Sequence, residues 1–204
     1  MAEKPKFNKT SLKAQRDALA KYQKFLPILQ LKKMQLQTVI RQMEPVMAAA
    51  RQRLTDESRA IESWAALLSD TGSNVLDHVR IADVEQVLDN IAGVEVPEFG
   101  RVRFIEQPYS LFSTPAWLDM AIESLRRLVS AREELKVLHE KERLLREELR
   151  TTTQRVNLFE KKLIPELKEN IRKIKIFLGD EETAAVGRAK LAKSKVSSRE
   201  EAYQ

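Results

Sequence analysis

Paired carboxylates, histidines and glycine-rich turns are the groups through which this chain could do chemistry. Glu133-Glu134 and Glu147-Glu148 offer adjacent acids, which suit general acid–base work when their environments pull their proton affinities apart. On this chain they sit in a stretch dense with Lys and Arg at three- and four-residue spacing. They therefore read as solvated helix faces or i,i+4 partners of the bases. His78 and His139 are far apart in sequence, with no further ligand at metal spacing, and His139 is expected at an exposed or flanking helix position. The five glycines, Gly72, Gly93, Gly100, Gly179 and Gly187, are isolated, so no phosphate-cradling loop forms. With no cysteine, neither a disulfide framework nor a thiolate metal site is available. The expectation is a protein without catalytic residues, without cofactor or metal, and without direct nucleotide binding.

Composition points instead to long exposed helices. Of 204 residues, 32% are charged and 6% aromatic, a profile poor in thick globular cores. No apolar run approaches the ~20 residues that span a bilayer, and the N-terminus lacks the apolar stretch of a signal peptide. A cytoplasmic protein with no transmembrane segment is expected. The formal charge of +6 is unevenly placed. Residues 1–36 carry nine Lys or Arg against Glu3 and Asp17, residues 70–112 carry three Arg against eight acids, and residues 186–199 add five bases. Basic ends therefore flank an acidic middle.

A 4-3 spacing runs from Leu12 to Leu68 through Gln15, Leu19, Tyr22, Leu26, Leu29, Lys33, Leu36, Ile40, Met43, Met47, Ala50, Leu54, Glu57, Ile61 and Trp64. A seam held for about eight heptads predicts a helix that pairs lengthwise with another. Gly72 reads as its stop. Pro27 and Pro45 fall inside it and each costs about 3 kcal/mol. Because the seam stays in phase through both, kinks in a continuous helix are preferred to breaks.

A second stripe restarts at Thr114-Pro115, a capping residue followed by a proline with preset φ. It passes through Trp117, Ala121, Ser124, Leu128, Ala131, Leu135, Leu138, Glu142, Leu145, Leu149, Thr152, Val156, Phe159 and Leu163. It then slips to Leu167, Ile171, Ile174 and Leu178, a stutter centred on Pro165 that should unwind a supercoil locally. Gly179-Asp180 is expected to end this helix, with a short basic helix and a frayed tail beyond. Between the stripes, Val94 to Ile105 predicts a short hairpin turning at Glu98-Phe99-Gly100. Asp83–Asn90 is open between a helical turn and an extended lead-in. Trp64 and Trp117 should pack at the junction with this insert.

The expected fold is all-α: a long bent antiparallel two-helix coiled coil with a small hairpin-containing insert. Its parts are 1–72 (first helix), 73–114 (insert), 115–179 (second helix) and 180–204 (basic tail). Parallel self-association is the competing arrangement. In the antiparallel one, residue i faces about 187 − i, give or take a turn or two. Pro27 then lies near residue 160, and both basic ends share one end of a rod about 90 Å long. Those ends could contact phosphates or an acidic protein surface; no nucleic-acid reading motif or stacking set accompanies them. Two uses of the hairpin side chains Val94, Val96, Phe99, Val102 and Phe104 stand level: binding a partner, or packing on the rod.

Residues 155–195 resemble the C-terminal helix of the D subunit of V-type and archaeal-type rotary ATPases, bacterial branch. The matching residues are Arg155-Val156-Asn157, then Leu163-Ile164-Pro165, then an isoleucine-rich helix. Val94-Glu95-Val96-Pro97, Tyr109-Ser110-Leu111 and Thr114-Pro115 continue the resemblance, while the N-terminal helix echoes it only in Thr10-Ser11-Leu12. The resemblance implies a non-catalytic central rotor shaft that couples ATP hydrolysis or synthesis in the head to ion movement through the membrane ring. It implies as partners the catalytic and regulatory head subunits, a small F subunit on the shaft's side, and a subunit linking the shaft to the ring, with the protein peripheral to the membrane. The head-facing residues would be Lys6, Lys9, Lys13, Arg16, Arg188, Lys190, Lys193 and Lys195, and the bend would lie at Pro27 and Pro165. A non-rotary coiled-coil tether or scaffold is the alternative reading.

Overall fold

The computed structural model describes residues 6–66, 75–109, 115 and 117–201, with backbone alone at 77 and 197–201. Leu68, Gly72, Ser110-Leu111, Thr114 and the last three residues, which figure in the expectations above, lie outside this set. The element order is α1 (Lys9–Glu62), a 3₁₀ turn (Val75–Val79), β1 (Ile81–Ile91), β2 (Val94–Phe104), α2 (Leu118–Leu158), a π turn (Phe159–Leu163) and α3 (Ile164–Glu201). The chain divides into two compact units, one of residues 32–152 and one of residues 1–31 with 153–204.

Helix α1 starts where Asn8 caps it: its side-chain oxygen accepts the Ser11 amide at 2.7 Å, satisfying one of the unpaired first-turn donors. The helix then runs unbroken past both prolines. Every seam residue from Leu12 to Trp64 is buried or half-buried. The stripe from Trp117 to Leu163 behaves in the same way. Helix α2 begins at Leu118, later than expected, after a turn in which Leu118 donates to the Pro115 carbonyl at 3.0 Å. Proline therefore opens the preceding turn and not the helix itself.

In the 32–152 unit the helices pair antiparallel. Lys32 meets Glu148 at 2.7 Å and Arg53 meets Glu134 at 2.8 Å. Leu36, Ile40, Met43 and Met47 of α1 pack with Leu145 of α2 and Val96 of β2. A second cluster joins Val75, Leu118, Ala121 and Ile122, with Trp64 and Trp117 packed against it. In the other unit the pairing is again antiparallel, with Tyr22 and Phe159 rings 4.8 Å apart and Phe7 and Phe177 at 5.2 Å.

The hairpin differs from the expected one. Residues 94–104 form a single strand whose partner is 81–91, so the open segment 83–90 is strand and the turn is Ala92-Gly93. Both turn residues have positive φ, 52° and 77°, the two-residue geometry that matches strand twist. Asn90 secures it by accepting the Gly93 amide at 2.9 Å. Gly100, expected in the turn, lies mid-strand at a register shift, where a Cβ would stand 3.0 Å from the Glu85 carbonyl oxygen. Its smallness serves a close backbone approach, not a turn.

Helix α3 also departs from expectation, since it continues through Gly179 and Gly187. A glycine ends a helix only by adopting left-handed φ; neither does so, and Thr183 donates back to the Gly179 carbonyl at 2.9 Å. The stutter at Leu163 coincides with the π turn, in which the Ile164 amide donates to the Phe159 carbonyl, five residues back.

Candidate functional site

The hairpin is the first surface that could meet a partner. It lies along the helix pair: the Gly93 turn sits by Lys32 of α1, Glu98 reaches Lys141 of α2 at 4.0 Å, and Phe104 lies under the Arg126 guanidinium of α2, 5.3 Å from its ring centre. Eleven residues of β2 at about 3.3 Å each match the roughly 33 Å of α2 between Arg126 and Glu148. Of the five apolar residues singled out, Val96 is fully buried and Val94 packs partly on the same core. Phe99, Val102 and Phe104 are half-buried. Packing on the helices thus takes up Val96, while the apolar side chains most open on the hairpin are Val87 and Leu88 of β1, 65% and 71% exposed. Reading 83–90 as strand would have signalled them. Glu85 sits across from Arg101 and Arg103 and pairs with both, at 2.7 Å to Arg101 Nε.

The segment leading from the hairpin is tied to α2. The Tyr109 hydroxyl donates to Asp119 at 2.5 Å, and the Tyr109 ring meets His78 edge-on at 5.0 Å. Arg126 donates to the His78 carbonyl at 3.1 Å. The hydrogen bond to the Asp119 carboxylate, with partial burial and the same negative charge, raises the Tyr109 pKa above its ordinary value, with Arg126 opposing. On α2, Glu140 is held below the ordinary carboxylate value by hydrogen bonding to Arg143, whose own pKa rises. Glu169 and Arg172 of α3 do the same. The acid pairs of α2 are likewise spent on neighbours: Glu133 on Lys136, Glu134 on Arg53, Glu147 on Arg143 and Glu148 on Lys32. His139 is exposed between the Leu135 carbonyl at Nδ1, 2.9 Å, and Arg51 at Nε2, 3.1 Å.

The second surface belongs to the unit formed by 1–31 and 153–204. Lys9, Lys13 and Arg16 line one groove of about 580 Å³ with Lys175, and Lys9 pairs with Glu182 at 3.7 Å. Lys6 is exposed just before the helix. Arg188, Lys190, Lys193 and Lys195 lie further along α3, where every residue from Gly179 to Val196 is exposed. The motif residues divide by face. Val156 and Ile164 are buried, Leu163 is half-buried, and Arg155, Asn157, Pro165 and Pro27 are exposed; with Tyr22 against Phe159, Pro27 lies short of the level expected for it near residue 160. Off the seam, Phe25, Ile28 and Leu31 stand 44%, 55% and 52% exposed on α1. Their signal was present as apolar residues off the seam. Among the described residues no helix is long and apolar enough to cross a membrane.

Comparison with known proteins assigns the family. Residues 11–194 match the family model for the D subunit of ATP synthase. The D subunit of the V-type ATP synthase of Borreliella burgdorferi is 40% identical over 194 residues, 94% of each chain. Its namesake from Chlamydia felis is 36% identical over 203 residues, 98% of each chain. That from Chlamydia abortus is 34% identical over the same span. Paired helices, a hairpin carried between them and end-to-end similarity agree: the chain belongs to the ATP synthase D family, the non-catalytic D subunits of V-type ATP synthases.

Proposed function

We propose that this chain is the central rotor stalk of a V-type ATP synthase, transmitting rotation between nucleotide turnover in the head and ion movement through the membrane ring. The observation that carries the reading is continuity. Helix α1 is unbroken for 54 residues across two prolines, and one helical run extends from Leu118 to Glu201 through the π turn. Helical hydrogen bonding and a packed seam resist twisting, as a torque-bearing element must. In this reading Lys6, Lys9, Lys13, Arg16 and the 188–195 bases face the catalytic and regulatory head subunits. A small F subunit binds the side of the shaft, and a further subunit links it to the ring, leaving the protein peripheral to the membrane.

The absence of cysteine makes a clean test available. Arg188→Cys, joined by a disulfide to a cysteine introduced in a head subunit, should stop multiple-turnover ATP hydrolysis and release it again on reduction. Undiminished hydrolysis and ion transport in the cross-linked complex would remove the rotary reading.

A further inference from the structure

The slip in the C-terminal stripe and the π turn are one feature. Continued in phase from Phe159 and Leu163, the seam would next place Glu166, Asn170, Lys173 and Phe177 against α1. The apolar residues buried or half-buried there are instead Ile164, Leu167, Ile171, Ile174 and Leu178. Each stands one place later than an unbroken 4-3 pattern would put it. A π turn holds one residue more than an α turn, and this one occupies residues 159–163. With a single residue removed there, Val156, Phe159, Ile164, Leu167, Ile171, Ile174 and Leu178 would fall at steps of 3-4-3-4-3-4. Ile174 is fully buried and Ile164 and Ile171 nearly so, so the extra residue restores the seam locally and no unwinding of a supercoil is required.

Pro165 stands just after the widened turn. It has no N–H to give the Lys161 carbonyl, and its ring would crowd that carbonyl in a regular α-helix. Across the pair, Tyr22 contacts Phe159, and five residues on Pro27 removes the bond that α1 would make to the Gln23 carbonyl. Because the pair is antiparallel, Pro27 lies before the level of Phe159 and Pro165 beyond it, so the two helices lack backbone hydrogen bonds on either side of the Tyr22–Phe159 contact within the same unit.

We infer that the Phe159–Leu163 turn is a retained one-residue insertion that works as a joint in the paired helices at the level of Tyr22, and is not a requirement of the seam. Its use as a joint rests on the stalk reading above; its presence as an insertion does not. The test uses the full chain with Glu160 deleted and Pro165→Ala, beside a control lacking Arg146, an exposed α2 residue whose loss shifts the whole downstream seam. The joint variant should melt at or above the parent's temperature, whereas the control should fall by more than about 5 °C. In the parent, amides of 156–166 should exchange at least about tenfold faster than those of 145–152, and the variant should erase that difference. A variant as damaged as the control, or equal exchange in the two stretches of the parent, overturns the insertion. In the assembled complex the variant should keep ATP hydrolysis but lose ion transport per ATP; full transport overturns the joint while leaving the insertion intact. If the parent itself fails to couple hydrolysis to transport, the stalk reading fails, and the melting and exchange results still decide the insertion.

Discussion

Lys32 shows how much one polar side chain can settle beside an apolar seam. Its ammonium lies 2.7 Å from Glu148, both half-buried at 28% and 27%, next to the buried Thr152 and beside the hairpin turn at Gly93. A charge pair flanking a seam favours the register that joins it over neighbouring ones. Lys32→Met leaves the Glu148 carboxylate half-buried without its partner and should cost roughly 1–2 kcal/mol. Adding Glu148→Met should restore most of it, as urea unfolding of the three variants would read out; a double variant no better than the single one contradicts the assignment. Acid sensitivity is also a residue-scale matter. Hydrogen bonds from Arg143 and Arg172 hold Glu140 and Glu169 below the ordinary value of 4.5. Such groups contribute stability that is present above the unfolded value and lost as pH falls through the folded one. Glu140→Gln with Glu169→Gln should therefore flatten the loss of stability as pH is lowered through and below about 4.5, measured by thermal melts against pH. An unchanged slope would mean these pairs are silent.

At the scale of elements, the helices were legible and the hairpin only in part. A heptad seam is written in local spacing, which is why Leu36, Ile40, Met43, Met47 and Leu145 are buried where the pattern puts them. Trp64 and Trp117 likewise pack at the junction as their positions suggested. The hairpin turn was not legible because its first residue is Ala92, which rarely adopts positive φ. Gly100 drew the turn to itself although its real constraint, the approach of the Glu85 carbonyl, exists only once the strands have paired. The π turn hid for a similar reason: spacing records a slip of phase but not whether the backbone or the supercoil absorbs it. The candidate surfaces were less legible still, since exposure at Val87, Leu88 and Phe25 depends on what packs nearby. The hairpin's docking has its own test. Val96 is fully buried between the helices, so Val96→Ala removes two methyl groups and leaves a cavity, costing roughly 2 kcal/mol. If the strand is held chiefly through this residue, amides of β1 and β2 should lose exchange protection well before those of α1 near Leu36. Uniform loss across both would instead mean that hairpin and helices open as one.

Across the whole chain, the basic end is where charge and the buried core are furthest apart. From Gly179 to Val196 every residue of α3 is exposed, including Val186, Leu191 and Val196 at 56%, 65% and 57%. A helix this open contributes little to folding, because stability follows apolar area removed from water. It holds Arg188, Lys190, Lys193 and Lys195 exposed beyond the buried seam. Removing residues 180–204 should therefore shift the melting temperature by no more than about 2–4 °C, the equivalent of about 1 kcal/mol in a chain of this size. If the stalk reading is right, the same truncation should weaken capture by purified head subunits. For the intact chain that capture should fall steeply with added salt, as exposed charges are screened within about 8–10 Å at physiological ionic strength. Three outcomes are then distinct. Lost capture with an unchanged melt assigns the tail to a partner. A large fall in melting temperature would make it part of the fold, against its exposure. Undiminished capture would place the head contact elsewhere on the same unit, with the groove lined by Lys9, Lys13 and Arg16 next to be neutralised.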